Sequence, residues 1–275
     1  MTLKFGITVR SMGPESTPAL LRSATLTAEE AGLDSIWITD HVAIPPDDAE
    51  GSGGRYLDPL TTLAWMAAQT RRIHVGSGVL ILPYREPLPT AKAVATVQEL
   101  ADGRLELGVG VGWMEPEFRA LGVPREERGR RTDETLEFLH TCFAEDIVER
   151  NGQPFLFRPR PPRPRIHVGG DGDHAWKRTV HHGDAWMPMV RNPARLSKGV
   201  EGLRRYAEEL EKPLPGVTAF AGLALGDATG SLDHARALVE AGADHLVVAV
   251  RYRTYTEYVG QVRAVRRLAD QFRDS

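Results

Sequence analysis

Asp40 and His41 adjoin at the end of the run Ser35-Ile36-Trp37-Ile38-Thr39-Asp40-His41. An imidazole exchanges a proton near neutral pH, and a neighbouring carboxylate can orient or charge it. The alternative is a capping aspartate beside an incidental histidine. The place of the pair at the end of an apolar strand-like run favours chemistry if that run belongs to a barrel, because barrel enzymes work at the C-terminal ends of their strands.

Glycines mark three further places. Gly76 and Gly78 flank Ser77 and remove side chains where a flat ligand can approach the backbone, although a strand bulge would leave the same trace. Gly108-Val109-Gly110-Val111-Gly112-Trp113 is glycine-rich but is no dinucleotide fingerprint. Its third glycine comes one residue early for G-x-G-x-x-G, and Pro116 follows. Glu115 and Glu117 lie just beyond, either facing a ligand or serving as solvated partners of a helix dipole. The third place is Ile166-His167-Val168-Gly169-Gly170-Asp171-Gly172-Asp173-His174, a strand, a glycine turn and a helix start, whose free N–H groups suit an anion. Two aspartates would oppose a phosphate there unless Asp173 is used as the N-cap, so a phosphate cradle and a plain capped turn both remain open.

The nine histidines raise a metal site, but Phe5-Gly6-Ile7-Thr8-Val9-Arg10 lacks the His-x-His start of metal-dependent barrel hydrolases, and no catalytic metal is expected. His181-His182 reads as a helix end. The single cysteine, Cys142, lies among Leu136, Phe138, Leu139 and Phe143; it cannot form an internal disulfide and reads as a buried spacer.

Positioning these residues requires repeated strand–helix units. Strands are expected over residues 5–9, 35–39, 73–82, 104–111, 165–168, 184–187, 217–223 and 245–250, followed in turn by helices over 18–31, 59–70, 88–100, 128–143, 174–181, 193–210, 232–241 and 255–271. Gly32 and Gly242 stand where left-handed residues end helices before the second and eighth strands. The 75–82 run is apolar nearly throughout, as in a parallel strand covered on both faces. Eight such units predict an α/β fold, a single (β/α)8 TIM barrel over residues 1–275 with insertions at its mouth. Residues 42–57, rich in Gly, Pro and Asp, are the candidate lid loop. The Pro/Arg-rich segment 146–164 is expected as an inserted hairpin or an excursion over the mouth.

Composition narrows the partners. With 275 residues and a net charge of −3 there is no basic surplus for nucleic acid or an anionic membrane. No signal-like start or 18-residue apolar run is present, so a soluble cytoplasmic protein acting on a small molecule is expected. Arginine outnumbers lysine 29 to 5, which suggests a high-GC, actinobacterial-type genome.

Segments 28–41, 58–123, 127–139 and 163–178, with the closing Gly242-Ala243-Asp244-His245-Leu246-Val247-Val248, resemble the luciferase-like monooxygenase family over nearly the whole chain, and its deazaflavin (coenzyme F420) branch in particular. The resemblance implies a hydride-transfer oxidoreductase using F420, with an FMN-dependent monooxygenase as the alternative and a non-catalytic flavin-binding barrel as a third possibility. It implies that Ser77, Gly78 and Val79 back the ring, with a non-prolyl cis peptide at or beside Gly78-Val79. Gly110, Gly112 and Trp113 would line the pocket, Gly169 and Gly170 would meet the cofactor phosphate, and the catalytic pair Asp40 and His41 would face the reactive edge of the ring; Glu115, from its position just beyond, is the next catalytic candidate for the proton. Trp113 stands where related sugar-phosphate dehydrogenases carry a glutamate. A homodimer or larger assembly is expected by the same resemblance. From the residues alone, a metal-free isomerase or lyase holding a phosphorylated substrate at Gly169-Gly170 is the rival chemistry.

Overall fold

The computed structural model describes residues 3–273. In chain order the elements are β1 (Lys4–Thr8), α1 (Pro18–Glu30), β2 (Ser35–Ile38), α2 (Pro59–Ala67), β3 (His74–Ser77), β4 (Leu80–Ile81), α3 (Pro87–Leu100), β5 (Leu105–Gly110), α4 (Glu115–Ala120), α5 (Arg128–Ala144), β6 (Ile147–Arg150), β7 (Gln153–Leu156), β8 (Arg165–Gly169), α6 (Asp173–His182), β9 (Ala185–Met187), β10 (Met189–Val190), α7 (Pro193–Glu209), β11 (Gly216–Ala221), α8 (Ala228–Glu240), β12 (His245–Val248) and α9 (Tyr255–Arg273). Parallel pairing runs β12-β1-β2-β3-β5-β8-β9-β11 and returns to β12, closing an eight-stranded parallel barrel with helices outside. Gly32 and Gly242 carry the expected positive φ, +70° and +111°. Cys142 is fully buried, and burial pushes its thiol up to about 11.

The expected 73–82 strand is broken. β3 ends at Ser77, the Gly78-Val79 peptide is cis, and β4 resumes for two residues before a 3₁₀ turn at Leu82–Tyr84. A helix the periodicity does not show, α4, leaves the end of β5 directly over the mouth.

The 146–164 segment forms the hairpin, β6 paired antiparallel with β7. It joins the end of α5 to the start of β8, so it lies at the N-terminal end of the barrel and is no excursion over the mouth. Arg158 and Arg160 bind Asp146, and Arg163 binds Asp184 ahead of β9, which holds the segment at that end.

Inward side chains alternate along the strands and stack in three layers. The lowest is polar. Glu106 Oε2 accepts from His167 Nε2 at 2.6 Å, with Thr218 Oγ1 at 3.0 Å on the other ring nitrogen. Ser35 Oγ joins His245 Nε2 at 2.8 Å and accepts from Trp37 Nε1 at 2.7 Å. The middle layer is apolar: Trp37, Met187, Phe220 and Val247, with Val79 packed on it. Trp37 fits because Gly76 faces it, and Phe220 fits because Gly78 does.

Candidate active site

The inward positions that follow toward the C-terminal end include Gly78, Gly110 and Gly169. Added Cβ atoms at Gly110 and Gly169 would meet Val79, and one at Gly78 would meet Phe220. The glycines thus admit the Val79 and Phe220 side chains, which form an apolar shelf at the C-terminal end of the barrel. Ser77 Oγ donates to Gly108 O at 2.8 Å and Gly78 N to Ile38 O at 2.8 Å, which fixes the shelf against β2 and β5. An apolar shelf of this kind suits the face of a flat ring.

Asp40 and His41 leave β2 in different directions. Asp40 is buried and forms a two-pronged ion pair with Arg85, at 2.6 and 2.9 Å, while also accepting from Ile81 N at 2.8 Å. Its carboxylate therefore anchors the segment following the cis peptide and does not reach the mouth. His41 does reach it. Its ring lies 4.9 Å from Tyr56 and 6.2 Å from Trp113, both edge-on, and Trp113 is 65% exposed.

Glu115 is exposed in the first turn of α4; the acid that meets His41 is Glu117, two residues on. Glu117 is buried, and Oε2 accepts from His41 Nδ1 at 2.8 Å and Tyr84 O–H at 2.9 Å. Oε1 accepts from the amides of Val42 at 2.6 Å and Ala43 at 2.9 Å. Burial alone would raise its pKa, but the Ala43 and Val42 amides and His41 outweigh it and hold the carboxyl below the ordinary range. Burial first, and then the bond to Glu117, push the Tyr84 phenol up. The sequence offers Glu115 and Glu117 equally; Phe118, buried beside Tyr84, is the one hint that the second acid turns inward.

The 42–57 loop is held at both ends. Val42 and Ala43 bind Glu117, while Gly13 N donates to Arg55 O at 2.9 Å, Leu57 N to Ser11 O at 3.0 Å and Arg55 Nε to Ser16 Oγ at 2.9 Å. Tyr56, on the anchored side, is thereby set against His41.

At the Gly169-Gly170 turn, Gly170 has φ +115° and its carbonyl accepts from Trp186 Nε1 at 2.8 Å. The peptide is planar, so the Asp171 N–H on its other side points away from Trp186. The N-cap of α6 is Gly172, not Asp173. Asp171 pairs with Arg195 and Asp173 with Arg205, both arginines from α7, so the two carboxylates are neutralised by cations instead of being taken up in capping. At the far end of α6, His182 is pushed down to about 4, mainly by burial, and so adds no charge to the helix terminus. Among the described residues no group of three His, Cys, Asp or Glu side chains is placed to hold a metal ion, and no helix is long and apolar enough to cross a membrane.

A model of the luciferase-like monooxygenase family matches residues 3–266. The chain belongs to that family. Its F420-dependent glucose-6-phosphate dehydrogenase from Kineococcus radiotolerans is 32% identical over 196 residues, covering 67% of this chain and 56% of that protein. The fold is shared with an F420-dependent secondary alcohol dehydrogenase solved with an F420–acetone adduct, at a TM-score of 0.80, 15% identity and 96% and 98% coverage of the two chains. It is shared also with the oxygenating constituent of 3,6-diketocamphane monooxygenase from Pseudomonas putida, solved with FMN, at a TM-score of 0.73, 16% identity and 96% coverage of each. The family is one of luciferase-like monooxygenases, an F420-dependent enzyme is among the chain's relatives, and structures solved with an F420 adduct and with FMN share its fold.

Proposed function

We propose that this chain is an F420-dependent oxidoreductase that transfers a hydride between the deazaflavin and a small organic substrate, with His41 handling the accompanying proton. The observation that carries it is the apolar shelf of Val79 and Phe220, admitted by Gly78, Gly110 and Gly169, together with His41 set beside the exposed Trp113. Ser77, Gly78 and Val79 back the ring, Gly110, Gly112 and Trp113 line the site, and the turn at Gly169-Gly170 offers backbone N–H groups to the cofactor phosphate. F420 bound there supplies a hydride site at C5 of its ring; the protein orients it and places the proton donor or acceptor. The F420-dependent relatives named above favour this cofactor. FMN is the alternative, supported by the FMN-bound neighbour, and would make the chain a monooxygenase.

Tyr56 and Trp113 give the substrate side aromatic walls. A homo-oligomer working in the cytoplasm completes the proposal.

The test is equilibrium titration of the protein with F420, FMN and riboflavin, for wild type and Gly170→Val. F420 should bind most tightly. At φ +115° an L side chain is strained, and its Cβ would press on Ala175 at 3.2 Å, so the variant must distort the turn. Loss of charge-assisted bonds of about 1.5–3 kcal/mol predicts about tenfold or greater weakening for F420 and FMN, with riboflavin, which has no phosphate, unchanged. A folded Gly170→Val protein with wild-type F420 affinity would remove the phosphate from this turn, and tighter binding of FMN than F420 would transfer the function to the monooxygenase alternative.

A further inference from the structure

We infer that Glu117 is a positioning residue that sets the tautomer of His41, so that the neutral imidazole presents Nε2 to the mouth as a proton acceptor. This deepens the role proposed for His41 and rests on it for its catalytic meaning, but the structural claim stands on the geometry around Glu117.

An ionised carboxylate only accepts hydrogen bonds. Glu117 has four donors converging on it, two backbone amides at Oε1 and the Tyr84 hydroxyl with His41 Nδ1 at Oε2. The amides cannot turn. Together with the imidazole they hold the acid ionised in spite of burial. The Tyr84 phenol, pushed up by burial and by this same carboxylate, keeps its proton and donates it. His41 Nδ1, 2.8 Å from an oxygen that can only accept, must therefore carry hydrogen. A neutral imidazole has one N–H, so its Nε2 is left with the lone pair.

The consequence is that the neutral imidazole takes a proton at Nε2. Its partner in chemistry is a substrate bearing a hydroxyl on a carbon that also carries hydrogen. The C–H bond gives its electron pair and hydrogen to the bound deazaflavin as hydride, the O–H bond breaks with its proton going to His41 Nε2, and the carbonyl double bond forms. The imidazolium so produced is stabilised by Glu117 across the ring. Tyr84, buried behind the carboxylate, keeps Glu117 from turning away as that charge appears.

The substitution Glu117→Gln inverts the arrangement. The glutamine oxygen is required by the Val42 and Ala43 amides, so the amide nitrogen faces His41 Nδ1 and donates to it. Nδ1 then accepts, and the hydrogen moves to Nε2.

The experiment is long-range ¹H–¹⁵N correlation NMR of the histidine-labelled protein without cofactor, recorded across pH, with the His41 signals assigned by their loss in His41→Ala. Neutral wild-type His41 should show the Nδ1–H tautomer, Glu117→Gln the Nε2–H tautomer, and Tyr84→Phe the wild-type pattern. The same Glu117→Gln protein should bind F420 as wild type does and lose about a hundredfold or more in turnover. An Nε2–H tautomer in wild type overturns the inference whether or not any variant folds, and so does an Nδ1–H tautomer persisting in Glu117→Gln. Wild-type protein that binds no deazaflavin or flavin would instead overturn the proposed function while leaving the tautomer result standing.

Discussion

Replacement of His41 by alanine is expected to leave F420 affinity within about twofold and to lower turnover about a hundred- to ten-thousand-fold, the range for loss of a general acid or base. The ring touches Glu117, Tyr56 and Trp113, while the apolar shelf is built by Val79 and Phe220, which separates proton handling from cofactor binding. Single-turnover absorbance of bound F420, with a panel of simple secondary alcohols, gives the rate. Asp40→Asn should behave oppositely. Its buried carboxylate holds Arg85 and the Ile81 amide, so the variant should melt earlier and bind cofactor more weakly while keeping its rate at saturation. Wild-type turnover in His41→Ala would assign the proton to another group and end the case for this site.

The second large effect is on stability and lies at the other end of the barrel. Glu106 is buried, bonded to His167 at 2.6 Å, and lies 3.0 Å from His74 Nδ1 at an angle that completes no hydrogen bond. Burial would raise its pKa, but His167 and His74 hold it well below its ordinary 4.5. Glu106→Leu leaves His167 Nε2 buried without its acceptor, a loss of about 3 kcal/mol and roughly 5 °C in melting temperature for a chain of this size. Because the folded pKa is depressed, the contribution of Glu106 is complete above pH 4.5 and is lost as pH falls toward the folded value. The gap between wild type and variant should thus narrow below pH 4.5. His245, pushed down to about 3 chiefly by burial, makes the fold lose stability as pH falls below 6.5, because the unfolded chain takes the proton first. Glu106 partly offsets that burial, so its removal pushes His245 further down and the effect does not cancel in the difference at the acid end. Calorimetric melting between pH 3 and 8 reads both; a variant within about 2 °C of wild type at pH 7 would show that the lower layer does not depend on this acid.

Much of the architecture is legible in one dimension because the βα unit is a local pattern. Runs such as Ser35-Ile36-Trp37-Ile38 and the helix-ending glycines at 32 and 242 carry their own reasons for their conformations, and eight repeats of that pattern close only as a barrel. The glycines at 78, 110 and 169 are legible as places without side chains for the same reason. What they converge upon is not: Val79 and Phe220 are 141 positions apart and meet only because the third and seventh barrel strands face one space.

The sequence by itself determined the barrel, the histidine at the C-terminal end of its second strand and the positions of the glycines at 78, 110 and 169. Tertiary structure decided the partners. Asp40 and His41 are neighbours in sequence, yet alternation along β2 and its exit turns one into the core against Arg85 and the other to the mouth. Glu115 and Glu117 look equivalent in sequence, and only the packing of α4 on Tyr84 and the first residues of the 42–57 loop selects the second. A buried carboxylate is tolerated only where several donors meet it, and the four that meet Glu117 come from residues 41, 42, 43 and 84, a convergence that exists only once the chain has folded.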